Sequence, residues 1–151
     1  MEYPESVVEY SEGIPELDEL VELYDAVHWT AYTDDPDTLR RAVEASASVH
    51  IARDAGQLVG LLRVVSDDTT IAYVQDLLVR PTHQRRGVGS ALMQAFNRRY
   101  GHVRQRVLLT DDEPGQRAFY ESVGFARSDA IEGGPLRAFV DLGARATDRP
   151  Q

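Results

Sequence analysis

The sequence predicts a mixed α/β domain, α+β with a mixed sheet, whose helices fall before, between and after the strands. Three observations carry this. Apolar, partly β-branched runs separated by short turns fill residues 49–79. A 3.6-residue apolar stripe follows at Val88, Ala91, Leu92, Ala95 and Phe96. Strand-like and helix-like segments then alternate to residue 142.

Val7-Val8-Glu9-Tyr10 reads as a first strand. Leu17, Leu20, Val21 and Tyr24 recur at helical spacing after Pro15, which predicts an amphipathic helix over 15–27. Asp35 before Pro36 is an N-cap followed by proline at the first helical position. Leu39, Val43 and Ala47 mark the helix it opens. The runs 49–53 and 58–65 are strands joined by the turn Asp54-Ala55-Gly56-Gln57. Asp67 to Thr70 turns the chain into a long strand, Ile71 to Val79. A polar, basic turn from Arg80 to Gly87 leads to the third helix. Val107 to Thr110 is a buried strand, and Pro114 opens a fourth helix. Gly124 sits where a left-handed C-cap glycine belongs. Phe125 starts a further strand, and Leu136 to Leu142 is the last. The expected order is β-α-α-β-β-β-α-β-α-β-β, one domain over residues 1–142 with a frayed tail at 143–151.

Composition narrows the function. With no cysteine, the chain cannot form a disulfide, a Cys-ligated zinc site or an acyl-cysteine intermediate. All 16 basic residues are arginine, so a Schiff-base lysine and a phosphate-loop lysine are excluded as well. His50, His83 and His102 lack ligand spacing, and no metal is expected. The net charge of −9 makes nucleic acid and anionic membrane surfaces poor partners and steers cations inward. No apolar run approaches the ~20 residues of a membrane span. The acidic N-terminus lacks a signal-peptide pattern, so a cytoplasmic location is expected.

The strongest motif is Gln84-Arg85-Arg86-Gly87-Val88-Gly89, with Ser90 following, between a strand and a helix. Two glycines let the backbone approach a ligand closely. The unpaired N–H groups and partial positive charge of the first helical turn then suit a pyrophosphate. Arg85 and Arg86 can add charge-assisted contacts. A phosphate-loop nucleotidase would need Gly-Lys-Ser/Thr, which is absent. A dinucleotide fold would need a third glycine where Leu92 stands. An ordinary tight strand-to-helix turn would use the same glycines.

The segment from Gln75 to Met93 resembles the acetyl-CoA-binding core of GNAT N-acetyltransferases, whose pattern is a strand ending in Val, then x-Pro-x-x, then Gln/Arg-x-x-Gly-x-Gly/Ala. Phe119-Tyr120-Glu121-Ser122-Val123-Gly124-Phe125 is similar to a second motif of that family. Glu113 departs from it, standing where many members place an asparagine that contacts CoA. The resemblance implies acetyl-CoA as co-substrate. It places the backbones of Leu77, Leu78 and Val79 along the pantetheine arm, with the Val79 N–H stabilising an oxyanion. Gln84 to Ser90 would hold the pyrophosphate. Tyr120 would be the general acid for the leaving thiolate.

Gln75-Asp76 is similar to the acid pair of polyamine acetyltransferases with the first acid replaced, which makes Asp76 a candidate base or amine anchor. Tyr73 stands where histone-type members carry a glutamate base. His28, Trp29 and Tyr32, with Gln75, fall where the family walls its acceptor pocket, and Trp and Tyr can clasp an ammonium group. A core-facing helix end would use the same aromatic residues. A water path or His28 are the other routes for removing the amine proton. The implied reaction is direct transfer in a ternary complex to a primary amine, with a small-molecule cationic acceptor favoured. Arg40, Arg41 and Arg63 would instead invite an anion if they lined the pocket. A homodimer is compatible with the family. A non-catalytic acyl-CoA sensor and a plain interaction domain are the competing readings.

Overall fold

The computed structural model describes residues 7–143. The chain divides into two compact units, residues 1–109 and 110–151.

The first unit is a five-stranded sheet in the order β1-β2-β3-β4-β5: β1 (Val8–Glu12), β2 (Ser48–Asp54), β3 (Gln57–Ser66), β4 (Ile71–Val79) and β5 (Gln105–Leu108). The first four strands form an antiparallel meander, and β5 runs parallel to β4. A parallel pair needs a crossover, and α4 (Val88–Arg99) supplies it. The β3–β4 turn is set by Asp67, whose carboxylate accepts from the N–H groups of Thr69, Thr70 and Ile71.

Between β1 and β2 lie α1 (Leu17–Ala26), the four-residue α2 (Thr30–Thr33) and α3 (Pro36–Glu44). A capping box between Glu16 and Glu19 starts α1. Asp35 caps α3 as expected, accepting from the Thr38 N–H and hydroxyl. Leu20, Leu23 and Tyr24 of α1 and Leu39 and Val43 of α3 form one core with Val49, Ile51, Leu58, Leu61 and Leu78 of the sheet. The other sheet face carries α4, with Val88, Leu92, Met93 and Phe96 buried. Gly60 makes this approach possible: a Cβ there would lie 3.0 Å from Val88 Cγ1 and 3.1 Å from Leu92 Cδ1.

The second unit contains α5 (Pro114–Ser122) and a short 3₁₀ turn at Ser128–Ala130. Gly124 at φ 98° ends α5 in the expected left-handed cap. Its N–H donates to the Glu121 carbonyl and the Phe125 N–H to the Tyr120 carbonyl, at 3.1 and 3.0 Å.

Two expectations need correction. The strand proposed for 107–110 is displaced: β5 spans Gln105–Leu108, is only partly buried, and leaves Leu109 exposed. The strands proposed from Phe125 and over Leu136–Leu142 are absent among the described residues. Leu136, Val140 and Leu142 alternate as strand residues do, but all three are exposed and Phe139 is 95% exposed. Alternation describes which face a strand would bury, whereas a strand exists only where a neighbour completes its ladder. Of the tail expected at 143–151, residues 144–151 lie outside the described residues. Among the described residues no helix is long and apolar enough to cross a membrane.

Candidate functional site

The turn between β4 and α4 begins with a 3₁₀ turn at Pro81–His83 and continues through Gln84 to Gly87. Arg85 (φ 61°) and Gly87 (φ 83°) are both left-handed. Gly87 is the N-cap of α4 and offers no side-chain cap, so the first-turn N–H groups from Val88 onward have no capping oxygen from it. Only open space surrounds the position a Gly87 Cβ would take. Gln84, Arg85 and Arg86 are exposed, while Gly89 and Ser90 are half-buried. Uncapped helix amides, open space before them and two flanking guanidinium groups fit a diphosphate. Val88 instead turns its side chain into the core.

Above this turn the edge of β4 opens. The Arg80 N–H donates to the Val59 carbonyl at 2.7 Å. Antiparallel ladders alternate bonded and non-bonded pairs. With Leu78 opposite Leu61 and Asp76 opposite Arg63, those two pairs are therefore bonded across to β3. Leu77 and Val79 turn their N–H and C=O groups the other way, toward the β5 side. There β5 pairs with β4 only from Ile71 to Val74. The Val79 carbonyl accepts from Gln84 Nε2 at 3.1 Å, which ties the turn to the strand end. Of the three backbones expected along the ligand arm, Leu77 and Val79 thus face that edge, and Leu78 is engaged with β3.

Asp76 lies deeper than a carboxylate open to an amine would. It is 2% exposed. Its Oδ2 accepts from Arg63 Nε at 2.8 Å and from the Tyr24 hydroxyl at 2.7 Å. Its Oδ1 accepts from the Tyr32 hydroxyl at 3.4 Å. Burial and then the Asp76 charge push the Tyr24 hydroxyl well above the usual phenol range. The same two causes raise Tyr32, while a hydrogen bond with the exposed Gln75 side chain acts in the opposite sense. Burial works against the Arg63 cation, but Asp76 beside it leaves the group raised overall.

Tyr24, Trp29 and Tyr32 form a three-ring cluster with centroids 5.2 to 6.2 Å apart. Trp29 and Tyr32 are partly buried and pack against the helical core. In the second unit, Tyr120 is half-buried and stacks edge-on against Phe119 at 4.9 Å and Phe125 at 6.4 Å. Burial pushes its hydroxyl up to about 12. The Gly124 cap accounts for this motif locally, because it brings Phe125 back over the last turn of α5.

Residues 45–127, more than half of the chain, match the family model of the GNAT acetyltransferase domain. The chain belongs to the GNAT acetyltransferase family. The matched range of this GNAT chain includes the glycine turn, the open edge of β4 and Tyr120. The mycothiol acetyltransferase of Kineococcus radiotolerans is 30% identical over 101 residues, covering 66% of this chain and 33% of that protein. The chain thus spans about a third of the length of the curated relatives it matches. A GNAT-family acetyltransferase structure from Streptococcus pneumoniae is 28% identical with a TM-score of 0.76, covering 91% of this chain and all of that one. An aminoglycoside N-acetyltransferase solved with CoA shares the fold, with a TM-score of 0.65 at 16% identity over 94% of this chain and 99% of that one.

Sequence reasoning missed Tyr24 and the pairing of Arg63. Tyr24 reads as part of an apolar helix stripe, yet a buried tyrosine hydroxyl needs a partner, and that need was the available signal. His28 has a second explanation. It is exposed, at φ 63°, one residue past the C-cap Val27 of α1. Its N–H donates to the Asp25 carbonyl and the Trp29 N–H to the Tyr24 carbonyl, both at 3.0 Å. This is a Schellman cap with histidine where glycine is preferred. His28→Gly is therefore expected to raise stability by about 0.5–1 kcal/mol, read by chemical denaturation. Unchanged turnover in that variant would leave His28 a cap alone; a loss of rate in the better-folded protein would make it part of the reaction.

Proposed function

We propose that this GNAT chain transfers the acetyl group of acetyl-CoA to a primary amine by direct attack in a ternary complex. The observation that carries the reading is the open β4 edge, with the Leu77 and Val79 amides facing it, running into a turn of uncapped helix amides and two arginines. Gln84 to Ser90 hold the diphosphate, and Leu77 and Val79 hold the acyl-bearing arm through their backbones. The Val79 N–H stabilises the oxyanion as the amine nitrogen bonds to the thioester carbon. The C–S bond then breaks, and the thiolate takes a proton from Tyr120. The nitrogen loses its own proton to a water path or to His28, because Asp76 is buried and ion-paired with Arg63. Likeness to a mycothiol acetyltransferase supports acetyl transfer as the reaction class.

The acceptor in this reading is a small cationic amine. The net charge of −9 and the partly buried Trp29 and Tyr32 rings favour a cation. Arg63 does not counter this, since it is paired with Asp76. The test is acetyl-CoA turnover against a panel of cationic, neutral and anionic amines, read by free-thiol release, beside calorimetric titration with CoA. Thiol release fastest with cationic amines is the expected result. CoA binding without release from any amine would make the chain an acyl-CoA sensor, and no CoA binding would leave an interaction domain.

A further inference from the structure

Strand β4 carries one residue more than its partner at the point where the open edge begins. Val74 lies opposite Val64 and Asp76 opposite Arg63, so Gln75 is a bulge. Adjacent residues of β3 point to opposite faces. Val74 and Asp76 therefore also point to opposite faces, although a regular strand would place both on one. Val64 shares its face with Gly60, which packs against Val88 and Leu92 of α4. Asp76 has consequently been turned to the face of α1 to α3, where Tyr24 and Tyr32 wait for it. Arg63, on that face, bonds Asp76 and reaches Ser46 Oγ at 3.4 Å.

We propose that Arg63, Asp76 and Tyr24 form a buried clamp that fixes the β4 bulge and so selects which backbone amides face the acyl-CoA arm. The bulge decides the parity of everything after it. A one-residue slip of β4 against β3 would exchange the sets, turning the Leu78 groups to the open edge and the Leu77 and Val79 groups to β3. The same slip would carry the Asp76 carboxylate to the face of α4, among Val74, Leu92 and Phe96, and leave Arg63 buried without it. A buried charge stripped of its partner is strongly disfavoured. The ion pair thus prevents the slip, and the Tyr24 hydroxyl fixes the carboxylate from the helix side. Arg63 and Tyr24 are positioning residues, acting through the strand rather than on the ligand. The clamp rests on the reading that the Leu77 and Val79 amides hold the acyl arm.

The test separates the two ends of the ligand. Adenosine 3′-phosphate 5′-diphosphate carries the nucleotide with its 5′ diphosphate and no pantetheine, and probes the glycine turn; acetyl-CoA probes the turn and the open edge together. The double variant Arg63→Leu/Asp76→Leu removes both charges and keeps the face apolar. Its acetyl-CoA affinity is expected to fall at least tenfold and kcat about 30-fold, with the nucleotide affinity held within twofold. Arg63→Lys, which retains the ion pair, is expected to recover most of both. A folded double variant with wild-type acetyl-CoA affinity and kcat would overturn the clamp. If the double variant does not fold, Tyr24→Phe decides, since it keeps the ring and removes the hydroxyl. A threefold selective loss of acetyl-CoA affinity supports the clamp, and an unchanged ratio of the two affinities overturns it. Wild-type protein that binds neither ligand would sink the proposed function itself, an outcome distinct from failure of the clamp.

Discussion

Tyr120→Phe is expected to lower kcat about 10²-fold while leaving the acetyl-CoA Kd within a factor of two. The substitution keeps the ring that packs on Phe119 and Phe125 and removes only the proton. The leaving thiolate of CoA has a conjugate-acid pKa of roughly 8–9. A phenol pushed up to about 12 by burial is a weaker acid than that thiol, so the transfer stays uphill even to the free thiolate and is drawn forward as the thiol leaves and solvent returns a proton to Tyr120. The same shift guarantees that the proton is present throughout the assay range. The wild-type rate should therefore show no loss attributable to Tyr120 below pH 10. An alkaline limb near pH 9–10 that disappears in the Phe variant would contradict the shift. Full turnover in the variant would leave Tyr120 a packing residue. Stability follows the same sign: the native phenol keeps its proton while the unfolded one loses it above about pH 10. The contribution of Tyr120 is complete below pH 10 and is lost as pH rises toward 12.

Much of the fold is legible because its signals are local. Asp35 and Pro36 announce α3, the Leu92 and Phe96 stripe announces α4, and Gly124 announces the end of α5. The glycine turn at 84–90 is legible for the same reason, since a left-handed Gly87 and an uncapped helix start are properties of a few adjacent residues. What escaped depends on distance in sequence. The α2 helix has four residues and no buried one, too little for periodicity to register. Asp76 meets Arg63 and Tyr24 across 13 and 52 residues, and only through a bulge that composition does not mark. On a regular strand Asp76 would share the face of Val74; the bulge turns it to the other face, where its partners come from distant segments. The region after Phe125 shows the converse: Leu136, Val140 and Leu142 alternate, but among the described residues no neighbouring strand completes a ladder with them.

Gly87→Glu is expected to weaken CoA binding at least tenfold, which corresponds to about 1.4 kcal/mol. Two effects add. Any L residue at φ 83° is strained by roughly 1–2 kcal/mol, and part of that strain is relieved by shifting the turn away from the shape the diphosphate needs. The new carboxylate also enters the open space before the first turn of α4, where it competes for the helix amides and repels the phosphates. Among the described residues, apart from the chain neighbours of Gly87, no heavy atom lies within 4 Å of the Cβ position, so the Cβ itself meets no clash. The fold should survive, with a loss of stability no larger than the strain. Gly87→Ala separates the causes, carrying the strain without the charge. A log Kd for Ala nearer to wild type than to Glu identifies charge as the larger part. The Glu variant's deficit should also shrink as salt is raised, because the repulsion at this exposed turn is screened over roughly 10 Å at 0.1 M ionic strength. A folded Glu variant with wild-type CoA affinity would remove the 84–90 turn from the binding site.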